Sequence, residues 1–417
     1  MAFDREELER RRQQRQKARR ARKEKQKKTL ILLGIIGAAV AVAAVVTAVM
    51  LISLGGGKNQ PSTGETTEAT RNADEITTIH LAAAGDLNIT DRTVQSGGTE
   101  LDYTEAFLDV AHLLGEADVT VMNLEGVLCG APYGASRSAP QTMLTALANN
   151  GVDLLQLANS YSIHKGVSGL GTTIENVRSA GMSPLGVYAN RSEYRKGKGY
   201  VLCEVKGVRI AFVAFTKGMD GMALPPGSEN CVNVLYKDYA SAYQEVDKEG
   251  IAKVMENAAE ANPDLIVALV HWGSEYNDNI SKTQETIRDT LLENGADAII
   301  GTHSHYVQKM ELNPENGTFI AYSLGDFMGD TQRAGSEYSV ILNLEIEKNN
   351  RTGKTVIKSY DYTPIFTVNE KDVPMRVVRI ESAMKAHEGG YIDAVNKDTY
   401  KAMEYALKRI EARVKGE

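Results

Sequence analysis

Short apolar runs alternate with stretches of helical periodicity from Ile76 onward. Five runs are rich in β-branched and aliphatic residues, as buried strands are: ITTIHLAAAGD, ADVTVMNLE, GVDLLQLANSY, LIVALVHWG and ADAIIGTHSH, beginning at Ile76, Ala117, Gly151, Leu265 and Ala296. A helix is predicted between the second and third runs, over 140–150. This alternation of strands and helices predicts an α/β domain.

Side chains that could bind a metal ion or a substrate stand at the end of each run. In chain order they are Asp86, Asn123, Glu125, Asn159, Ser160, Tyr161, His271, His303 and His305. Ligands in open α/β sheets gather outside the carboxyl ends of the strands, so the set predicts one site, and its composition favours a metal site. For Asp86 or Glu125 alone, a helix cap or a turn is the usual role.

The pair His303 and His305 is the strongest single pattern in this set. In extended backbone, residues two apart lie on the same side, so both imidazoles could close on one ion. Neutral imidazole is a common ligand of zinc, manganese and iron. A pair of solvated loop histidines is the alternative, because a lone H-x-H pattern is weak.

A long uncharged segment precedes this domain. LILLGIIGAAVAVAAVVTAVMLISL, over 30–54, exceeds the roughly 20 apolar residues that cross a bilayer, and it predicts a transmembrane helix over 29–54. A cleaved signal peptide normally has an apolar region of about 7 to 15 residues behind a short charged leader, and neither feature fits. A buried helix of a soluble protein fits less well again.

Charge is distributed unevenly around this segment. Residues 1–28 hold 13 Lys or Arg and five Asp or Glu, a net charge of +8, whereas the whole chain has −7 and the remainder therefore −15. The positive-inside rule places the basic tail over 1–28 in the cytoplasm and the ectodomain outside the cell. Nucleic-acid binding is the alternative for the tail, but topology and contact with anionic membrane lipid explain it better beside a span.

The remaining segments complete the predicted organisation of a single-pass cell-membrane protein. Residues 55–75 are Gly, Ser, Thr and charge, which predicts a flexible linker, and the ectodomain follows over 76–370. Over 371–417 a helical extension is expected, whose amphipathic helix packs on the domain or on a partner. Its spaced apolar positions are Tyr400, Met403, Ala406, Leu407 and Ile410.

The absence of several motifs excludes some classes of function, and the number of cysteines excludes a disulfide framework. The chain has no Walker-type loop, no nucleophile elbow and no interleaving of aromatic and basic residues. Nucleotide kinases, serine hydrolases and nucleic-acid partners are therefore not expected. Three cysteines, Cys129, Cys203 and Cys231, are too few for a disulfide framework.

Six motifs in chain order resemble the bacterial capsule-synthesis family of the CapA type. They are GD at 85–86, NLE at 123–125, LAN at 157–159, HWGSEY at 271–276, GTHSH at 301–305 and YSLGDF at 322–327. That family is part of the calcineurin-like metallophosphatase-fold superfamily, and the resemblance covers about 76–367.

The resemblance implies a four-layer α/β fold, with two mixed β-sheets packed face to face and helices outside. It implies a divalent metal, Mn, Zn or Fe, at the matching positions Asp86, Glu125, His271, His303 and His305. It also implies partners: an anionic polymer such as poly-γ-glutamate, and other membrane proteins of capsule synthesis.

The chain departs from the family pattern at LANSYSIHKG, where relatives typically read LANNH followed two residues later by Asp and then Gly. Ser160 replaces a metal-bridging Asn, and His164 stands in place of the Asp. Tyr161 replaces a His that steadies or protonates the leaving group. A two-metal hydrolase needs a bridging ligand and a proton donor, whereas serine is a poor neutral ligand and tyrosine, with a pKa of about 10, is a weak acid. We therefore expect one tightly bound ion, with Tyr161 and His164 as the candidate catalytic residues.

Several side chains are candidates for substrate binding at this site. They are Asn123, Asn159, Ser160, Glu275 and Asp326, the last standing where the family usually has Asn. Glu275 could instead orient His271 or be a turn residue. Arg137, Ser138 and Lys217 could meet an anionic substrate, or could be solvated loop residues.

Two hypotheses of function remain. One is a surface enzyme, a metal-dependent hydrolase or transferase acting on an anionic polymer. The other is a non-catalytic assembly or anchoring factor of capsule synthesis with a partly degenerate metallophosphatase-like site, which the substitutions at Ser160 and Tyr161 favour.

Overall fold

The computed structural model describes residues 76–329, 333–371, 373–391 and 394–417. The predicted basic tail, transmembrane helix and linker, at 1–28, 29–54 and 55–75, lie outside the described residues. None of the helices in the described part of the chain is both long enough and apolar enough to cross a membrane.

The strands follow the apolar runs of the sequence. In chain order the described strands are β1 (Ile76–Asn88), β2 (Val119–Glu125), β3 (Leu154–Gln156), β4 (Ser183–Leu185), β5 (Tyr200–Val205), β6 (Val208–Thr216), β7 (Leu265–His271), β8 (Ala298–Thr302), β9 (Met310–Leu312), β10 (Phe319–Ala321), β11 (Asp326–Met328), β12 (Tyr338–Asn349), β13 (Thr355–Val368) and β14 (Arg376–Arg379). The five predicted runs correspond to β1, β2, β3, β7 and β8.

The helices lie mostly between these strands. The described α-helices are α1 (Asp91–Gln95), α2 (Ala111–Glu116), α3 (Gln141–Asn149), α4 (Gly166–Ser179), α5 (Arg191–Gly197), α6 (Lys248–Ala259), α7 (Lys282–Glu293), α8 (Ile380–Glu388) and α9 (Lys397–Lys415), with a 3-10 turn at Glu105–Phe107. Side-chain caps fix several of their starts. Ser281 and Gln284 form a capping box at α7, and Asn396 accepts the backbone N–H groups of Asp398 and Thr399 at α9.

The strands form two mixed sheets. The first has the order β14-β13-β12-β1-β2-β3-β4 with β11 also paired to β1, and the second has the order β5-β6-β7-β8-β10-β9. Strands β1 to β4 are parallel in the first sheet, and β6, β7, β8 and β10 are parallel in the second. The expected α/β architecture with two mixed sheets is confirmed.

Side-chain alternation along the strands separates the layers. In β7, Leu265, Val267 and Leu269 lie in a core shared by both sheets, and the residues between them pack under α6 and α7. Strand β2 divides in the same way, because Val119 and Val121 join the shared core while Met122 and Leu124 face a core that includes residues of α3 and α4. The result is four layers, with helices outside two facing sheets.

The C-terminal segment is part of this domain. Met403, Ala406 and Ile410 on one face of α9 lie in the core shared by the sheets, which agrees with the predicted amphipathic pattern. The expected helical extension over 371–417 differs from the structure in one respect. Arg376–Arg379 pairs with β13 as an edge strand, so the first sheet continues past residue 370. All three cysteines are described, and each is a free thiol.

Candidate metal centre

The carboxyl ends of four parallel strands bring the predicted ligands together. Asp86 on β1 pairs with Asn123 on β2, and His271 on β7 pairs with Thr302, the last residue of β8. The two sheets meet at this edge, since Asp86 Oδ2 accepts the backbone N–H of His303 at 2.9 Å. The site therefore lies across the gap between the sheets, where strand ends of an α/β fold commonly present ligands.

A close backbone approach turns Asp86 toward this gap. The pairing of β1 with β2 shifts its register between Ala84 and Asp86, and a Cβ placed on Gly85 would lie 1.8 Å from the carbonyl oxygen of Gly325. The N–H of Asp86 donates to that same oxygen at 3.1 Å. Only glycine fits at position 85, because a side chain there would collide with Gly325. The close contact places Asp86 at the centre of the site.

Two groups of three side chains could each hold a divalent ion. The first donor group is Glu125, His271 and His303, and the second donor group is Asp86, Glu125 and His305. Within each group, one ligating atom from every residue lies within 4.8 Å of the others, and all the residues are buried. Glu125 belongs to both groups, which places it where a bridging ligand would stand.

The structure separates His303 from His305. Strand β8 ends at Thr302, and both histidines have left-handed backbone, with φ of 86° and 59°. Their ring centroids are 6.2 Å apart, and each joins a different donor group. The sequence expectation that both would close on one ion assumed extended backbone, which is absent at these two residues.

Hydrogen bonds hold His271 from two sides. Its Nδ1 lies 3.0 Å from the hydroxyl of Thr302, and its Nε2 lies 3.0 Å from Ser160 Oγ and 3.3 Å from Glu125 Oε1. Thr302 was not predicted, although it directly precedes His303. Glu275 was considered as the partner that orients His271, but the hydrogen-bonding partners in the structure are Thr302, Ser160 and Asn123, whose Nδ2 lies 3.4 Å from His271 Nδ1.

Asn123 and Asn159 support the site from inside the protein. Asn123 Nδ2 donates to Asp86 Oδ1 at 2.5 Å, and Asn159 Nδ2 donates to Asn123 Oδ1 at 3.1 Å and to the carbonyl of Leu124 at 2.7 Å. Both side chains are buried. These amides, predicted as substrate-binding residues, are thus committed to holding Asp86, because their polar atoms are already paired.

Asp326 forms a buried pair with His305. The Asp326 Oδ1 lies 2.8 Å from His305 Nδ1, and the amide of Asn88 donates to the same oxygen at 3.1 Å. Asn88 was not predicted, although it ends β1 two residues after Asp86. Asp326 was predicted to bind substrate, and the structure instead places it against His305.

Tyr161 and His164 stand beside the donor groups without joining them. Their rings meet edge to face with centroids 5.7 Å apart, and the Arg137 guanidinium lies 4.3 Å from the Tyr161 ring. Burial, reinforced by the charge of Glu125, raises the pKa of Tyr161 to about 12. Burial and the neighbouring Lys165 lower the pKa of His164. At neutral pH the phenol is therefore protonated and the imidazole neutral.

Burial dominates the electrostatics of the donor groups. It raises the pKa of Asp86 to about 7, with Glu125 adding to the effect, and it raises the pKa values of Glu125 and Asp326. It lowers the pKa of His271 to about 4. The pKa of His303 falls well below its usual range for the same reason. Both imidazoles are therefore neutral, the form that binds metal ions.

His305 behaves differently from the other two histidines. Burial alone would lower its pKa, but Asp326, Glu125 and Asp86 together raise the pKa to about 10. Without a metal ion, one imidazolium thus faces three buried carboxyl groups. A divalent cation would offset the remaining negative charge, so the charge balance of the site fits a metal.

Unpaired polar atoms supply a second test of this fit. Among the described residues, Glu125 Oε2 and His303 Nδ1 are buried without a hydrogen-bond partner. Leaving such atoms unpaired is costly, and both belong to the first donor group. Both atoms are therefore free to bind an ion held by this group.

Cations paired with tyrosine rings surround the donor groups. Arg137 lies over Tyr161, Lys217 Nζ lies 4.8 Å from the Tyr243 ring centroid, and Arg333 lies 5.0 Å from that of Tyr276. The Tyr276 ring is in turn 5.0 Å from the His305 ring. Glu275 is exposed beside them. Ser138 is buried and donates to the carbonyl of Gly130, so it does not face a substrate.

Comparison with known proteins gives a family match over the site. The sequence model described as "Bacterial capsule synthesis protein PGA_cap" matches residues 80–331. The chain is 28% identical over 217 residues to the capsule biosynthesis protein CapA of Bacillus anthracis, covering 51% of this chain and 48% of that protein. It is 29% identical over 216 residues to the PGA biosynthesis protein CapA of Bacillus subtilis, covering 51% and 50%. The chain thus spans about half the length of the curated relatives it matches.

Among solved structures, the calcineurin-like phosphoesterase YfkN from Bacillus subtilis is similar with a TM-score of 0.44 and 15% identity, covering 80% of this chain and 99% of that chain. Neither value supports a conclusion about activity or substrate.

Proposed function

Since the chain belongs to the family of bacterial capsule synthesis proteins described as PGA_cap, we propose that it acts in the synthesis or anchoring of a capsule polymer at the cell surface. The polymer is anionic, of the poly-γ-glutamate kind. The protein's other partners are membrane proteins of capsule synthesis. The family match over 80–331 supports this proposal.

The proposed location is the cell membrane, with a single span over 29–54. The uncharged segment is long enough to cross a bilayer, and the basic tail before it favours a cytoplasmic N-terminus. The domain that begins at Ile76 would then stand outside the cell on a linker over 55–75. That position would bring its metal centre to a polymer leaving the membrane.

The observation that carries the metal proposal is the position of Glu125 in both donor groups. The donors are carboxylate oxygens and imidazole nitrogens, which suit Mn, Zn or Fe. A divalent ion held there would supply Lewis acidity toward an anionic group of the substrate. Asp86, Asn123 and Thr302 hold these donors in place through the hydrogen bonds described above.

One ion is proposed to bind tightly, in the first donor group. Its two imidazoles are neutral, and Glu125 Oε2 and His303 Nδ1 are unpaired. In the second donor group, His305 would have to give up a proton, because neighbouring carboxyl groups raise its pKa to about 10. Ser160 offers only a hydroxyl where the family has an amide, which further weakens a second ion.

An anionic partner agrees with the charges around the centre. Arg137, Lys217 and Arg333 each lie against a tyrosine ring. Such a contact orders the side chain without neutralising its positive charge, so the cation can still attract an anionic partner. The excess of acidic residues elsewhere in the chain would repel a polyanion. Binding of the polymer is therefore expected at the rim of the metal centre.

An active metal-dependent hydrolase of the phosphoesterase kind is the second candidate function. The retained donors Asp86, Glu125, His271, His303 and His305 favour it. The substitutions at Ser160 and Tyr161 weigh against it, because a phenol with a pKa raised to about 12 is a poor proton donor to a leaving group.

Metal analysis of the full-length chain, with a phosphoesterase assay and a poly-γ-glutamate cleavage assay, tests both candidates. The proposal expects one Mn²⁺ bound tightly, slow phosphoester hydrolysis, and polymer binding that falls as salt rises. Two tightly bound ions with rapid turnover would replace the proposal by the hydrolase. Absence of any metal binding would contradict both.

A further inference from the structure

Arg413, near the end of α9, is a buried arginine that contacts two segments next to the donor residues. It lies outside the family-matched residues 80–331 and is 8% exposed. Its Nε and Nη2 donate to Asp278 Oδ2 at 3.3 and 3.2 Å. Asp278 stands in the loop between β7, which ends at His271, and α7.

The same guanidinium also packs on two tyrosines. It lies 4.5 Å from the ring centroid of Tyr306 and 5.5 Å from that of Tyr338. Tyr306 directly follows His305, and its hydroxyl donates to the carbonyl of Ala334 at 2.8 Å. Arg413 therefore contacts the loop after β7, the turn after β8 and the start of β12.

The loop and the turn are joined next to the donor residues. The N–H of Tyr276 donates to the carbonyl of Ser304 at 2.8 Å, and Gln308 Nε2 donates to the carbonyl of Asn277 at 2.9 Å. Tyr276 packs its ring 5.0 Å from that of His305 and 6.0 Å from that of Tyr306. Movement of Asp278 or Tyr306 would therefore shift the position of His305.

The backbone of this turn needs such support. His303 and His305 both adopt left-handed φ values, which residues with a Cβ keep only where the surroundings hold them. The N–H of His303 is held by Asp86, inside the site. On the outer side, the guanidinium of Arg413 lies against Tyr306, the residue that follows His305.

We propose that Arg413 is a positioning residue for the metal centre: by holding Asp278 and Tyr306 together, it fixes the turn that presents His303 and His305. The inference rests on the proposed function, because it assumes that these histidines bind a metal. It extends the site beyond the family-matched residues to the C-terminal helix. In thermodynamic terms, metal binding and the docking of α9 stabilise each other.

Substitution of Arg413 tests the proposal through Mn²⁺ affinity. In the full-length chain, Arg413→Met should weaken Mn²⁺ binding by about tenfold or more, the usual effect of removing support from metal ligands. Asp278→Asn removes the carboxylate that Arg413 shares with Arg409, whose Nη2 lies 3.2 Å from Asp278 Oδ2, and should act in the same direction without changing the helix. Lys415→Met is the matched control, because Lys415 lies on the same helix turn but pairs with the exposed Glu411. It should leave Mn²⁺ affinity unchanged.

Amide hydrogen exchange separates positioning from simple stabilisation of the fold. Mn²⁺ should slow exchange in 303–308 of the wild-type chain and also in α9, and Arg413→Met should abolish the effect on α9 while sheet amides stay protected. If Arg413 only stabilised the fold, adding Mn²⁺ would not change amide exchange in α9. If Mn²⁺ binds to the wild-type chain and leaves exchange in α9 unchanged, the proposal is wrong.

Failure of the proposed metal function gives a different result. In that case the wild-type chain would bind no Mn²⁺, yet Arg413→Met would still raise exchange in 274–281 and 303–308, and Lys415→Met would not. Equal exchange in the two variants would contradict the proposal that Arg413 holds Asp278 and Tyr306 together, whether or not the chain binds Mn²⁺.

Discussion

Glu125 Oε1 lies 3.3 Å from Nε2 of His271, across the gap between the two sheets. The two residues end parallel strands of different sheets, β2 and β7. Neither sheet alone contains a complete donor group, because Asp86 and Glu125 come from the first sheet, whereas His271 ends a strand of the second sheet and His303 and His305 follow another. The metal centre therefore depends on the packing of the sheets as well as on the sequence of either one.

Glu125→Gln should abolish Mn²⁺ binding, since Glu125 belongs to both donor groups. In the absence of metal, the free energy of unfolding should be retained or increased, because burial raises the pKa of this carboxyl and its charge is costly in the empty site. Isothermal titration with Mn²⁺ and urea unfolding in chelator measure the two effects. Glu275→Gln, at an exposed carboxylate nearby, is the control and should preserve binding. Retained Mn²⁺ binding in Glu125→Gln would remove Glu125 from the site.

Gly85→Ala should destabilise the domain by about 1–3 kcal/mol or more, because the added Cβ would collide with the carbonyl oxygen of Gly325. Gly171→Ala is a matched control within α4, where nothing lies within 4 Å of the added Cβ. That change should stabilise the chain by up to about 1 kcal/mol, from helix propensity. Denaturant unfolding in chelator measures both. Equal stabilities of the two variants would contradict the close approach at Gly85.

Much of the site was accessible from the sequence, because strand periodicity locates strand ends. The runs ending at Asp86, Glu125 and His271 became β1, β2 and β7, whose carboxyl ends meet. The separation of His303 from His305 could not be predicted, since it depends on left-handed backbone that no local pattern of these residues requires. The internal roles of Asn123 and Asn159 were equally hidden, because a polar residue at a strand end can face either a ligand or its neighbours.

Long-range contacts also escaped the sequence analysis. Asn88 and Thr302 hold Asp326 and His271, and each adjoins a recognised motif, so the motifs gave a weak signal for them. Strand β14 is a short run of Arg376–Arg379 whose pairing with β13 depends on the rest of the sheet. The contact of Arg413 with Asp278 joins residues far apart in the chain, and helical periodicity alone gives no sign of it.

Protease treatment of intact protoplasts should digest the domain and leave a small membrane-bound fragment. The uncharged segment over 29–54 and the basic tail predict that residues 59–417 lie outside the cytoplasm. Immunoblotting with a tag at either end follows the two parts. An N-terminal tag should survive in a short fragment, and a C-terminal tag should be lost. Protection of the C-terminal tag in intact protoplasts would contradict the proposed topology.

Restoring the family residues should separate the two defects proposed for the site. Ser160→Asn supplies an amide oxygen beside His271, whose Nε2 lies 3.0 Å from Ser160 Oγ, and beside Glu125, which both donor groups share. The variant should therefore raise Mn²⁺ stoichiometry above one per chain. Tyr161→His replaces a phenol whose pKa is raised to about 12 with an imidazole that can donate a proton near neutral pH.

Only the double variant should hydrolyse simple phosphoesters appreciably faster, since a second ion and a proton donor are both needed for that chemistry. Tyr161→Phe is the control for the phenol and should leave the slow wild-type rate unchanged, because a phenol with that pKa contributes little as an acid. If the wild-type chain already binds two ions and turns over phosphoesters rapidly, Ser160 and Tyr161 serve the reaction as they stand. The site would then be a complete hydrolase whose proton donor is to be sought at His164 or Tyr161.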